Sequence, residues 1–241
     1  MSIAEKLTQI AENEPKVYEA GRKAEHDEFW GKFNINGARN TFSGMGWNKD
    51  TFKPNRDFTV MQSAFYYHNW GGTPYDLAAQ LEELGVTMRM GSTADSSTFY
   101  CAWFTRLPEL DFSAVSGIFD RVFYQTPGTG LHTIDKIILP AEGKITSFND
   151  PFLGCTKLNN VIFEGVIDKS ISFSSSPLTV ASMKNIISCL KDYSVEAPFS
   201  YTLTLKDICK TELEADTETV EFNGSTYTYF ELITAKGWNL A

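Results

Sequence analysis

Apolar residues recur along the middle of the chain with one spacing. Leu107, Leu110 and Phe112 fall at intervals of three then two, and so do Ile134, Ile137 and Leu139, and Leu158, Val161 and Phe163. A weaker copy is Leu81, Leu84 and Val86, and the closing positions of the four copies lie 26, 27 and 24 residues apart. The final x-apolar-x-apolar part of each copy predicts a short strand, because alternate side chains of a strand share a face. One such strand and its return loop cannot bury that face alone. Stacked copies bury it together, which predicts a parallel strand ladder with a continuous apolar interior and variable loops. The residues between the apolar positions then point outward: Thr87 and Arg89, Asp111 and Ser113, Ile138, Ile162 and Glu164, Ser172 and Ser174, Thr202 and Thr204.

The pattern changes on both sides of this body. Residues 1–35 read as a helical segment. Ser2 and Glu5 form a capping box, and Ile3, Leu7, Ile10, Val17 and Tyr18 carry an apolar stripe interrupted at Pro15. The stripe needs a cover, either the rest of the chain or a second copy in a homo-oligomer. Residues 36–57 are a Gly- and Asn-rich linker. The repeat body spans 58–176, and 177–241 form a mixed cap. In the cap, "PLTVASMKNIISCLKD" predicts a helix with Met183, Ile186, Ile187 and Leu190 on one face, and "YTLTL" predicts a strand. Alternation on either side of Asn223-Gly224 predicts a type I′ hairpin. "FELITAKGW" predicts a short closing helix with Gly237 at its end.

"FLGCTKLNNVIF", residues 152–163, has the form F-x-x-C-x-x-L-x-x-V-x-F. It resembles the BspA-like type of leucine-rich repeat, and "IDKIILP" with Pro140 matches the end of that unit. The opening residues, the "PLTVASMKNIISCLKD" helix and the closing "AKGWNLA" are similar to proteins encoded in prophages of gut Firmicutes. The resemblance implies an α+β chain: an N-terminal helical segment, an irregular leucine-rich-repeat solenoid, and a mixed α/β cap. It implies protein interaction and carries no catalytic residue across, because the matched positions are core positions.

Composition narrows the partner more than it names it. Net charge is -9 with a pI near 4.9, and no basic run is present, so the expectation is no nucleic-acid partner. No apolar run is long enough to span a bilayer. The first residues lack the basic-then-apolar pattern of a secretory signal, so the expected origin is the bacterial cytoplasm, with release in a virion after lysis. The four cysteines, Cys101, Cys155, Cys189 and Cys209, contain no Cys-x-x-Cys pair and read as free thiols, with Cys155 in a small buried slot.

Candidate chemistry is sparse. His26, His68 and His132 have no metal-site spacing, and no nucleophile elbow or phosphate loop occurs, so neither metal nor cofactor is expected. Glu212, Glu214, Asp216 and Glu218 read as a solvated acidic face. The aromatic runs "FYYHNW" and "TFYCAWF" supply either core or rigid contact area. The expected binding surface is therefore Thr87, Arg89, Asp111, Ile138, Ile162 and Glu164 on the strand face, with Tyr66, Tyr67 and Trp70 in the aromatic run. The expected function is non-enzymatic binding of a protein or cell-surface glycan, as a phage tail or baseplate accessory. A bacterial cell-surface adhesion module is the alternative, and a glycan-active enzyme a third.

Overall fold

The structure, a computed structural model, describes residues 41–44, 46–69, 71–94, 97–125, 130–148, 150–196 and 198–241. The expected helical segment at 1–35, with Ile3, Leu7, Ile10, Val17 and Tyr18, lies outside them. Among the described residues the chain is mixed α/β, with four helices and several small, mostly parallel sheets, and no barrel.

The central sheet has four parallel strands, β2 (Tyr75–Asp76), β4 (Phe104–Asp111), β6 (Thr133–Ile138) and β8 (Asn160–Glu164), side by side in that order. Its inward positions are Leu107, Leu110, Ile134, Ile137, Val161 and Phe163, all buried. Leu107 pairs with Ile134 and Leu110 with Ile137, as the spacing predicts. The next step departs from it. Ile134 pairs with Val161 and Ile137 with Phe163, across an irregularity, so Leu158 precedes β8 and does not pair with Ile134.

A second correction falls on the weakest copy. Leu81 and Leu84 lie in helix α1 (Leu77–Leu84), with Val86 in the turn after it. Spacing three is a helical interval as well as a repeat interval, and local signals decide for helix. The Asp76 carboxylate accepts from the Ala79 N–H at 2.8 Å as N-cap, and Gly85, at φ +64°, ends the helix. The central sheet continues through β2 instead.

The other strands form separate sheets. β1 (Phe58–Val60) pairs with β3 (Met88–Met90), and β5 (Gly117–Ile118) with β7 (Ile145–Ser147), both in parallel. β9 (Ile171–Phe173), β10 (Tyr201–Leu205) and β13 (Trp238–Leu240) make a third parallel sheet with β10 central. Thr87 and Arg89, Ser172 and Ser174, and Thr202 and Thr204 therefore do not share the face of Asp111, Ile138 and Glu164. β11 (Thr219–Phe222) and β12 (Ser225–Thr228) form the hairpin, with Asn223 and Gly224 at φ +50° and +79°, as a type I′ turn requires.

The outer edge of β8 is closed by helix α2 (Val180–Cys189), capped at Thr179. The Ser182 hydroxyl accepts from the Val161 N–H at 3.0 Å. Asn185 accepts from the Phe163 N–H at 2.6 Å and donates to the Phe163 carbonyl at 3.1 Å. Side chains three apart on one helix face thus replace the next strand. Beyond it lie α3 (Asp207–Ala215) and α4 (Tyr229–Ala235). Lys236, buried just after α4, donates to the carbonyls of Ile187, Ser188 and Leu190 at 2.8 to 3.0 Å. These carbonyls end α2, where the helix dipole favours a cation.

Candidate functional site

Between the sheets runs a column of rings. Phe42, Phe65, Phe99, Phe123, Phe152 and Phe173 stack in sequence, with centroids 4.6 to 5.7 Å apart and interplanar angles of 7° to 26°. All six are buried. Main-chain bonds tie the turns that carry them. The Phe65 N–H donates to Thr98, Phe99 to Val122, and Phe123 to Pro151, at 2.9 to 3.0 Å. Ser63, Ser97, Arg121 and Asp150, each two residues ahead of a phenylalanine, have φ between +47° and +61°. The same tight turn therefore recurs four times.

In three of these turns a tyrosine follows the phenylalanine. The turn directs neighbouring residues to opposite sides, so the tyrosines form a second row on the outside. Tyr66 stacks on Tyr100 at 4.9 Å and 16°, and Tyr100 on Tyr124 at 4.6 Å and 13°. Tyr67 packs edge-on against Tyr66 and Tyr100. All four are half-buried. Burial against one another raises the phenol pKa of Tyr66, Tyr67 and Tyr100, so these three present neutral hydroxyls. Leu153, the equivalent residue after Phe152, is exposed, and its carbonyl accepts from Gln125 as that of Tyr124 does from Cys101. Sequence reasoning named Tyr66 and Tyr67 but missed Tyr100 and Tyr124. The available signal was the Phe-Tyr pair at 65, 99 and 123, which is visible only once the phenylalanines are aligned. Trp70 lies outside the described residues.

On the central sheet, Asp111 and Glu164 are exposed and Ile138 and Ile162 half-buried. Charge dominates this face. Arg106 makes a two-point bond to Asp135 at 2.7 and 2.9 Å and lies 3.8 Å from Asp76. Lys136 lies 3.0 Å from Glu109 and 3.3 Å from Glu164. Cross-strand rows of minus, plus, minus hold the strand face together. They also leave Glu164 engaged within the fold. In the acidic run, Asp216 and Glu218 bind Lys184 at 2.8 and 2.7 Å.

Thr87, Arg89 and Asp111 do come together. They line a groove of about 530 Å³ between α1, β3 and the second half of β4. Leu81, Val86, Met88, Met90 and Pro108 supply its apolar surface, and Glu82, Glu109 and Ser113 complete its polar rim.

His68 is buried, with its Nε2 2.8 Å from the Tyr75 hydroxyl and its ring stacked on Phe104. Burial lowers its pKa to about 3, so it is a neutral core residue. Cys155 is buried and donates from Sγ to the Phe123 carbonyl at 3.0 Å, and burial raises its pKa. Among the described residues no group of three or more His, Cys, Asp or Glu side chains could hold a metal, and no helix is long and apolar enough to cross a membrane. No family model, curated protein or solved structure matches the chain.

Proposed function

We propose that this chain is a non-enzymatic binding protein that meets a protein or cell-surface glycan through the tyrosine row. The observation that carries the reading is the stack of Tyr66, Tyr100 and Tyr124 on the outside of the phenylalanine column. Rings held by their neighbours lose little freedom on binding, and phenol edges offer both apolar area and hydroxyls. The repeat reading, an irregular BspA-like leucine-rich solenoid, is supported by the recurring turn, the parallel sheets and the buried Phe152-Cys155-Leu158 series. On that reading the chain is a prophage-encoded tail or baseplate accessory that recognises a host surface, and 1–35 brings copies together.

Labelled protein should bind cultured Firmicutes cells in flow cytometry, and the triple variant Tyr66→Ser, Tyr100→Ser, Tyr124→Ser should lose that binding while keeping its circular dichroism. Equal binding by the folded variant, or none by the wild type, removes the tyrosine row as the contact surface. The virion assignment predicts the chain in density-purified phage particles by mass spectrometry; its absence there counts against that role. For assembly, Leu7→Ser with Ile10→Ser should lower the mass in light scattering if the apolar stripe joins copies. An unchanged mass rules that out.

A further inference from the structure

The groove beside α1 has a property that the tyrosine row lacks: open main-chain edges on two walls. The registers show it. β3 uses Thr87, Arg89 and Gly91 to bond β1, so the N–H and C=O groups of Met88 and Met90 point the other way. β4 uses Leu110 and Phe112 to bond β6, so those of Glu109 and Asp111 point away from β6. β2 ends at Asp76 and gives way to α1, which leaves this stretch of β4 without a strand on that side. Among the described residues none of these four makes a main-chain bond on its open side.

Two of the groove's carboxylates and its guanidinium are without an ion pair among the described residues, and Asp111 accepts only the Ser113 N–H at 2.9 Å. Glu82 and Asp111 have no cation within ion-pair distance among the described residues, and Arg89 has no carboxylate. Glu109 shares Lys136 with Glu164. Two unpaired carboxylates, Glu82 and Asp111, against one guanidinium favour a cationic visitor.

We propose that this groove binds an extended peptide segment of a partner protein, carrying at least one lysine or arginine. The segment adds as a strand to an open edge, its main chain bonding Met88 and Met90 or Glu109 and Asp111. Its basic side chain meets Glu82 and Asp111, and Arg89 takes an acidic side chain or carbonyl of the same segment. Strand addition supplies affinity from the main chain and specificity from alternate side chains. The proposal rests on the chain being a binding protein, but not on the tyrosine row.

The test uses the full chain and a phage-displayed library of random linear decapeptides. Selection should enrich lysine and arginine and deplete proline, which cannot donate to a ladder. The best selected peptide, titrated by fluorescence anisotropy, should bind at least about tenfold more weakly to Glu82→Gln/Asp111→Asn, an exposed and nearly isosteric pair of changes. A proline placed at its centre should cost about the same factor. No enrichment, enrichment of acidic peptides, undiminished binding to the double variant, or equal binding of the proline peptide would each overturn the proposal. The tyrosine triple variant, run in parallel, separates the two surfaces: it should select the same peptides even where it no longer binds cells.

Discussion

Single side chains show how the recurring turn is held. Cys155 fits between turns of the phenylalanine column, and its thiol is tied to the Phe123 carbonyl. Cys155→Ala should cost about 1 kcal/mol in chemical denaturation, as a small core truncation. Native Cys155 should react with thiol reagents only at the rate of opening, because burial both hides it and holds its pKa up. Rapid native labelling would contradict the burial. Its neighbour Gly154 has less latitude. At φ +79° it packs against the preceding turn, where a Cβ would overlap the Gln125 carbonyl oxygen, so Gly154→Ala should cost more than Cys155→Ala. His68 predicts a pH dependence. Its folded pKa, about 3, lies below the ordinary histidine value, so the unfolded chain takes up the proton first as pH falls. Stability from this residue is fully present above about pH 6.5 and declines toward pH 3, by up to about 1.4 kcal/mol per pH unit. Between pH 6.5 and 5, above most carboxylates, denaturation midpoints should fall for the wild type and stay flat for His68→Phe. The variant also leaves the Tyr75 hydroxyl short of a partner, so it should start lower.

The elements differ in how far the chain announces them. The helix α2, strand β10, the hairpin and α4 were legible because their signals are local: an apolar face of Met183, Ile186, Ile187 and Leu190, alternation, Asn-Gly, and a glycine after the last turn. α1 was misread because Leu81 and Leu84 satisfy two periods at once, and the deciding caps lie outside the repeat pattern. The closing of β8 was not legible at all. Ser182 and Asn185 look like ordinary polar helix residues until tertiary structure brings them against an open strand. Their role makes a sharp prediction. Asn185→Ala leaves both the N–H and the C=O of Phe163 without that partner, at about 1 to 3 kcal/mol. Hydrogen exchange should accelerate at Phe163 and Val161 before it does at Ile134 in the sheet interior. Unchanged protection at Phe163 would mean that water or another group serves the edge equally well.

At the scale of the whole molecule, the strand spacing and the ring column solve one problem in two ways. The strands place Leu107, Ile134 and Val161 in register along one wall, and the turns place Phe99, Phe123 and Phe152 on the other side of the same interior. The strand wall could be read from the sequence because its spacing is nearly constant. The ring column could not, because its steps vary from 21 to 34 residues with the loops between them. The tyrosine row inherits that irregularity, which is why half of it went unseen. The groove was half visible for a related reason: Thr87, Arg89 and Asp111 were chosen as outward residues of one ladder, yet they meet because two sheets end beside α1. Within the column each stack joins successive rings, so position decides cost. Phe123 has stacking partners on both sides, Phe99 and Phe152, whereas Phe173, the last ring of the column, stacks on Phe152 alone among the described residues. Phe123→Ala should therefore cost near the upper end of the roughly 3 to 5 kcal/mol typical of such truncations, and Phe173→Ala less. The two should also differ in kind. Loss of Phe173 should loosen the last turn locally, with hydrogen exchange accelerated near Ser176 and protection kept at Phe65. Loss of Phe123 should lower protection on both sides of the break. Equal costs with uniform loss of protection would show that the interior behaves as one undivided core, and that the ring column has no stepwise character of its own.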